Sequence, residues 1–310
     1  MIKRLLSNFK KKSQPKTTDP QFDDTLVKPP EAAAVTKELD KATTPVKTET
    51  VGYSSPQINV GYGLSVGKQR THNEDAFFTL TTMFSFNENQ LPFGLYVVAD
   101  GMGGHKNGEI ASELAIRTVV GYILTEIYKP MMSLNPKPSE MSFKEVFHSG
   151  IEKANTEILK NSYGGGTTVT AVLIVGEQMT IAHVGDSRVY SVDKDGNLEA
   201  LTRDHSLVKR LQELGQITPE EAAVHPQRNV LYRALGQGEP FEPEIISTSR
   251  PDLGSLLICS DGLWNIVPQE VISGIIVSGE SPQQICDKLI DAANDAGGPD
   301  NISAILVEIS

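Results

Sequence analysis

The sequence predicts an α+β fold in which antiparallel sheets stack on one another and helices cover them. Seven short apolar runs, rich in β-branched residues, lie between turn residues along the chain. Gly176-Glu177 and Asp195-Gly196 are two-residue junctions between such runs, the spacing of a β-hairpin, so antiparallel pairing dominates. Helical segments come in blocks instead of following each strand, which excludes the alternating rhythm of a doubly wound parallel sheet.

Residues 1–55 stand apart from this pattern. They are rich in Lys, Thr and Pro, with few large apolar side chains, and cannot bury enough surface to offset the entropy of ordering; a disordered tail is expected. Its start, "MIKRLLSNFKKK", sets Ile2, Leu5, Leu6 and Phe9 at helical spacing among basic residues. A solvated tail is the plainer reading, and weak contact of residues 1–12 with an anionic membrane surface is the other. Thr17, Thr18 and Thr25, beside acids, read first as part of a spacer, with a kinase site or a phosphothreonine-docking segment as the alternatives.

Residues 56–310 read as one globular domain. "GYGLSVG" and "FGLYVVAD" are strands, and residues 109–127 form an amphipathic helix. Ser142 and Glu145 make a capping box before "VFHSGIEKANTEIL". "YGGGTTV" lacks the GK[ST] of a phosphate loop and reads as the turn from that helix into "TTVTAVLIVG". "QMTIAHVGD", "RVYSVD", "SLLICSD" and "ISAILVEI" supply the remaining strands. Thr218-Pro219 with Glu221 starts one helix, Ser281-Pro282 with Gln284 starts another, and Gly297-Gly298 ends the latter.

The 310 residues carry a formal net charge of −11, with ten Lys/Arg against seven Asp/Glu in residues 1–55 and 18 against 32 in the rest. An acidic globule does not attract nucleic-acid phosphates. No apolar run is long enough to span a bilayer. Cys259 and Cys286 form no CxxC pair and read as buried free thiols of a reducing compartment, the cytoplasm. A thiol phosphatase holds phosphate with an arginine six residues after its cysteine; Asn265 and Ala292 stand there instead.

Acids recur at the ends of apolar strands: Asp100 in "YVVADG", Asp186 in "AHVGDSR" and Asp261 in "LLICSDG". Asp300 in "GGPDN" and Glu74-Asp75 in "RTHNEDAFF" precede apolar stretches. One such acid is a turn residue, but five such sites in one domain point to a cation between them. All-oxygen donors favour Mg²⁺ or Mn²⁺ over zinc, and the histidines show no HExxH spacing. Two divalent ions bridged by a carboxylate activate a water for hydrolysis and stabilise charge on a phosphoryl group. Arg70, four residues before Glu74, has the chemistry to hold a phosphate dianion.

"RTHNEDAFF", "VVADGMGG", "HVGDSRVY", "LTRDHS", "ICSDGLWN" and "GPDNISAILV" occur in the order and approximate spacing of metal-dependent serine/threonine phosphatases of the 2C type, the PPM superfamily. The resemblance spans about residues 58–310, and "DGMGG" in place of "DGHGG" is similar to the bacterial branch. It implies a four-layer α/β/β/α sandwich that hydrolyses phosphoserine and phosphothreonine in proteins and so opposes a cognate Ser/Thr kinase. It also implies that Asp100 bridges two metals and that the Gly101 carbonyl reaches one of them, where a Cβ would stand in the way. Asp261 and Asp300 complete the second metal; Glu74 and Asp75 act near it through water. Asp186, shared with Asp261, holds a third, weaker ion, and Arg70 binds the substrate phosphate. Met102 stands where many eukaryotic members have a histidine that protonates the leaving alkoxide. His105 is the replacement implied by bacterial relatives, and a metal-bound water is the alternative.

Residues 206–236 correspond to the family's flap, whose Lys209, Arg210, Arg228 and Arg233 divide between phosphopeptide contacts and plain surface charge. "SVDKDGNL", with Asp193 and Asp195, mimics an aspartyl-phosphate or calcium motif but fits a hairpin turn better. A catalytically inactive phosphoprotein-binding or scaffold protein on the same fold is the alternative function; such proteins usually lose metal ligands, and here every aspartate of the metal pair is present. A monomer is expected.

Overall fold

The computed structural model describes residues 57–86, 89–103, 106–134, 141–238 and 241–310. The tail, with its readings at residues 1–12 and at Thr17, Thr18 and Thr25, lies outside the described residues, and so does His105. The strands are β1 (Ile58–Ser65), β2 (Ala76–Phe86), β3 (Asn89–Ala99), β4 (Gly101–Met102), β5 (Gly166–Thr167), β6 (Val169–Val175), β7 (Gln178–Val184), β8 (Arg188–Val192), β9 (Leu198–Ala200), β10 (Glu244–Ser249), β11 (Gly254–Cys259) and β12 (Ile302–Ile309). One sheet has the order β1-β12-β11-β8-β9, a second β10-β7-β6-β3-β2, and β4 pairs with β5. Every pairing is antiparallel. The helices are α1 (Lys106–Ile123), α2 (Lys129–Met131), α3 (Phe143–Asn161), α4 (Leu207–Glu213), α5 (Pro219–Ala223), α6 (Asp261–Trp264), α7 (Gln269–Ile276) and α8 (Pro282–Asp295).

The strand period of two sorts side chains into layers. In β3, Leu95, Val97 and Ala99 join a core with Ala115, Val119 and Phe147 from α1 and α3, while Tyr96 and Val98 face the other way. In β12, Ile305 and Val307 share that middle layer with Tyr96 and Val98, while Ala304 and Leu306 pack on Ile285 and Leu289 of α8. The inner strands are therefore buried on both faces, which is why "VTAVLIV" reads as a continuous apolar run. The result is the expected four-layer α/β/β/α sandwich.

The expected capping boxes stand at Ser142/Glu145, Thr218/Glu221 and Ser281/Gln284. Gly297 and Gly298 end α8 at φ +117° and +47°. Asp193 accepts backbone N–H bonds from Asp195 and Asn197 at 2.9 Å each, the hairpin turn favoured for "SVDKDGNL". Both cysteines are buried and free, with thiols pushed up to about 12 by burial. The first long helix begins three residues before the expected 109, and π-helical Leu124–Tyr128 follows it. There the Lys129 N–H reaches Leu124 O, and Pro130, which has no N–H to donate, comes next. Strands β2, β9 and β10 and the two-residue β4 and β5 are additional to the seven expected. β10 is a short edge strand of mostly polar residues, with little periodicity to reveal it.

A methyl group on Gly61 of β1 would collide with the backbone of Pro282 and Gln283, where α8 begins. Gly61→Ala should therefore lift α8 from its sheet and cost about 1–3 kcal/mol in urea unfolding, the range of an overpacked core.

Candidate active site

Antiparallel register brings the strand-end acids together. Ala76 of β2 pairs with Ala99 of β3, so Asp75 and Asp100 leave the sheet side by side. Cys259 of β11 pairs with Ala304 of β12, which places Asp261 and Asp300 at the same end of the other sheet. Val184 of β7 pairs with Val169 of β6, which brings the turn carrying Asp186 beside Thr168, whose hydroxyl accepts from the Asp100 backbone N–H. A cavity of about 210 Å³ opens among them, lined by Arg70, Glu74, Asp100, Gly101, Asp186, Asp261 and Asp300.

The cluster is electrostatically strained. Burial and then the charges of Asp75, Asp261, Asp186 and Asp300 push the Asp100 carboxyl well above its ordinary value. Burial, followed by Asp300 and Asp75, raises Asp261 to about 7. Burial raises Asp75 to about 6, against the lowering effect of its serine hydrogen bonds. Burial and Asp261 raise Asp186 well above the usual range. Buried like charges favour the protonated form unless a cation replaces the protons.

The donor set fits a divalent cation. Ser303 and Ser260 donate to Asp75 Oδ2 at 2.6 and 2.8 Å, while Oδ1, buried, accepts no hydrogen bond. A buried oxygen left bare on a fixed carboxylate is the observation a cation explains. Among the described residues no three His, Cys, Asp or Glu side chains are already drawn into a ligand set. Mg²⁺ keeps several waters and needs few carboxylates, so the looser arrangement suits it.

Neighbouring residues hold these acids in place. The backbone N–H of Asp100 donates to Thr168 Oγ1, and its carbonyl accepts from Thr168 N and Thr167 Oγ1, each at 2.9 Å. Asn301 accepts from Glu74 N at 2.7 Å and donates to Val66 O and His72 O, tying the loop before β2 to the start of β12. Glu74 is buried, with His72 Nε2 3.5 Å from its carboxylate, and its carbonyl accepts from Ser112 at 2.6 Å. Trp264 Nε1 donates to Asp186 O at 3.0 Å. His205 accepts from Gly185 N at 3.1 Å, while its own N–H donates to Gly185 O at 2.7 Å. Sequence reading missed Thr168, Ser260, Ser303 and Trp264. Asn301, Ser260 and Ser303 lie within three residues of the singled-out acids Asp261 and Asp300, and that proximity was the available signal.

A Cβ on Gly101 would collide with the carbonyl oxygens of Gly108 and Glu74, so close packing of α1 on the Glu74 loop also requires this glycine. Arg70 Nη2 donates to Asp300 Oδ2 at 2.8 Å, so the arginine is half-committed to the carboxylate cluster.

The shifts set a pH dependence for metal-free protein. Asp75 and Asp261 ionise near 3.8 when unfolded but near 6 and 7 when folded. The unfolded chain therefore loses these protons first, and stability falls as pH rises from about 4 to 7. In chelator at neutral pH, Asp100→Asn should raise stability by about 1–2 kcal/mol and flatten this slope in thermal unfolding.

Comparison with known proteins agrees with this geometry. The Protein phosphatase 2C family model matches residues 62–302. The serine/threonine phosphatase stp of Listeria welshimeri serovar 6b is 37% identical over 247 residues, covering 78% of this chain and 92% of its own. The solved serine/threonine phosphatase of S. agalactiae superposes with a TM-score of 0.68 at 32% identity, covering 82% of this chain and all of its own. The catalytic domain of the serine threonine protein phosphatase PstP, solved in complex with two manganese ions, gives 0.63 at 27%, with 82% and 99% covered. This chain thus belongs to the protein phosphatase 2C family, among its bacterial serine/threonine phosphatases.

Proposed function

We propose that residues 56–310 form a catalytic domain that hydrolyses phosphoserine and phosphothreonine in proteins at a binuclear Mn²⁺ or Mg²⁺ centre. The observation that carries this reading is the convergence of Asp75, Asp100, Asp186, Asp261 and Asp300, with Asp75 Oδ1 buried and unpartnered. The PstP relative solved with two manganese ions supports the choice of metal. When bound, such ions supply an activated water and neutralise charge on the phosphoryl group.

The chain's own residues divide the remaining tasks. Asp100, Asp261, Asp300 and the carbonyl of Gly101 would hold the two ions, with Glu74 and Asp75 beside them, and Asp186 with Asp261 would hold a third, weaker one. The Arg70 donors not used by Asp300 bind substrate phosphate oxygens. His105 gives a proton to the departing serine or threonine oxygen, a poor leaving group without one. The setting is a cytoplasmic monomer opposed by a Ser/Thr kinase, with residues 1–12 a solvated tail and weak membrane contact its alternative. Among the described residues no helix is long and apolar enough to cross a membrane. An inactive scaffold has no need of four buried carboxylates whose ionised forms are disfavoured.

Hydrolysis of a phosphothreonine peptide should require Mn²⁺ or Mg²⁺. Asp261→Ala should lower kcat by about a thousandfold or more, the scale for losing an electrostatic stabiliser, whereas Asp193→Ala should leave it unchanged. Absence of activity with either metal refutes the enzyme reading. His105→Ala should slow phosphopeptide turnover by about a hundredfold while sparing p-nitrophenyl phosphate, whose leaving group needs no proton. Equal effects on both substrates would remove the acid role.

A further inference from the structure

A second cavity of about 200 Å³ adjoins the carboxylate cavity, with flap residues on one side and Trp264 and Asn265 on the other. Asp186, Asp261 and Asn229 line both. Three cations line the second one: Arg188, Lys209 and Arg228. Arg188 is committed, with a bidentate pair to Asp204 at 2.8 and 2.7 Å and its guanidinium 3.4 Å from the Trp264 ring centroid. Lys209 and Arg228 form no ion pair with any acid among the described residues.

The other two flap cations are engaged elsewhere. Arg210 stands 3.8 Å from Glu213, and Arg233 stands 3.4 Å from His205 Nε2. Lys209 lies in the first turn of α4, where the helix dipole disfavours a positive charge, so helix stability does not explain it. Arg228 is exposed in the turn after α5. Asp204, an acid of this cavity, is neutralised by Arg188. Two unpaired cations thus border a space that opens beside the reacting centre and is large enough for one side chain.

We propose that this cavity receives an anionic side chain of the phosphoprotein, a carboxylate or a second phosphate flanking the residue being dephosphorylated. Lys209 and Arg228 are then specificity-determining residues, and the flap selects acidic sequence contexts. The inference rests on the phosphatase reading above and adds a substrate class to it.

The test uses full-length protein with Mn²⁺ and phosphothreonine peptides flanked by Ala, Glu, Lys or a second phosphothreonine. The Glu peptide should exceed the Ala peptide in kcat/KM by about fivefold, the worth of a partly exposed ion pair, mostly through KM. The second-phosphate peptide reports whether the doubly charged source is preferred over the carboxylate. The preference should shrink as salt screens the contact. The Glu-to-Ala ratio, internally normalised for each variant, should fall to about one in K209A/R228A. It should invert toward Lys in K209E/R228E and persist in R210A. Affinities for non-hydrolysable phosphonate versions of the peptides should follow the same order. An unchanged ratio in K209A/R228A, or equal rates on Glu and Ala peptides in the wild type, overturns the proposal. If wild-type protein hydrolyses none of the peptides, the phosphatase reading itself fails and the proposal falls with it.

Discussion

Mutual repulsion among buried carboxylates is the constraint on which the rest of this structure depends. Asp75, Asp100, Asp186 and Asp261 all have their ionised forms disfavoured, each by burial and by at least one other acid. Such a cluster would spread apart on flexible loops. Here each acid adjoins a strand end or a short helix of a sandwich packed on both faces of its sheets, so relaxation would require moving a core. The fold stores unfavourable electrostatics that a cation relieves, a trade between stability and function common at active sites.

Holding the acids takes as much of the molecule as supplying them. Ser260 and Ser303 saturate one oxygen of Asp75 and leave the other bare, which fixes the direction in which the carboxylate can act. Thr167 and Thr168 clamp the backbone of Asp100, and Asn301 joins the Glu74 loop to the neighbouring strand. Around Asp186, Trp264 and His205 anchor the turn, and Arg188 stacks on the same tryptophan while neutralising Asp204. Around Asp75 and Asp100 the donors are neutral and orient the acids without cancelling their charge, and Arg188 is already paired with Asp204.

The acids themselves were legible because each stands where an apolar run stops, a pattern that survives without tertiary information. Caps and turns were legible for the same local reason: Ser281 and Gln284 are three residues apart, and Gly297 and Gly298 adopt φ values that other residues avoid. The supporting serines and threonines were not, since a serine beside an aspartate in sequence is ordinary. What distinguishes Ser260 is a partner 185 residues away. One reason for Gly101 was hidden similarly. A glycine next to a candidate ligand suggests close approach, but the approaching groups, Glu74 and Gly108, become neighbours only when α1 packs on the loop.

By itself, then, the sequence determined the blocks of strands and helices, the antiparallel pairing and the set of acids with their all-oxygen chemistry. Periodicity, capping and turn geometry are local properties, written within a few residues. Tertiary structure alone decided which flap cations remain unpaired, that Arg70 leans on Asp300, and that two cavities share Asp186 and Asp261. Those are matters of charge and distance between segments far apart in the chain, and antiparallel register and layer packing are what set them.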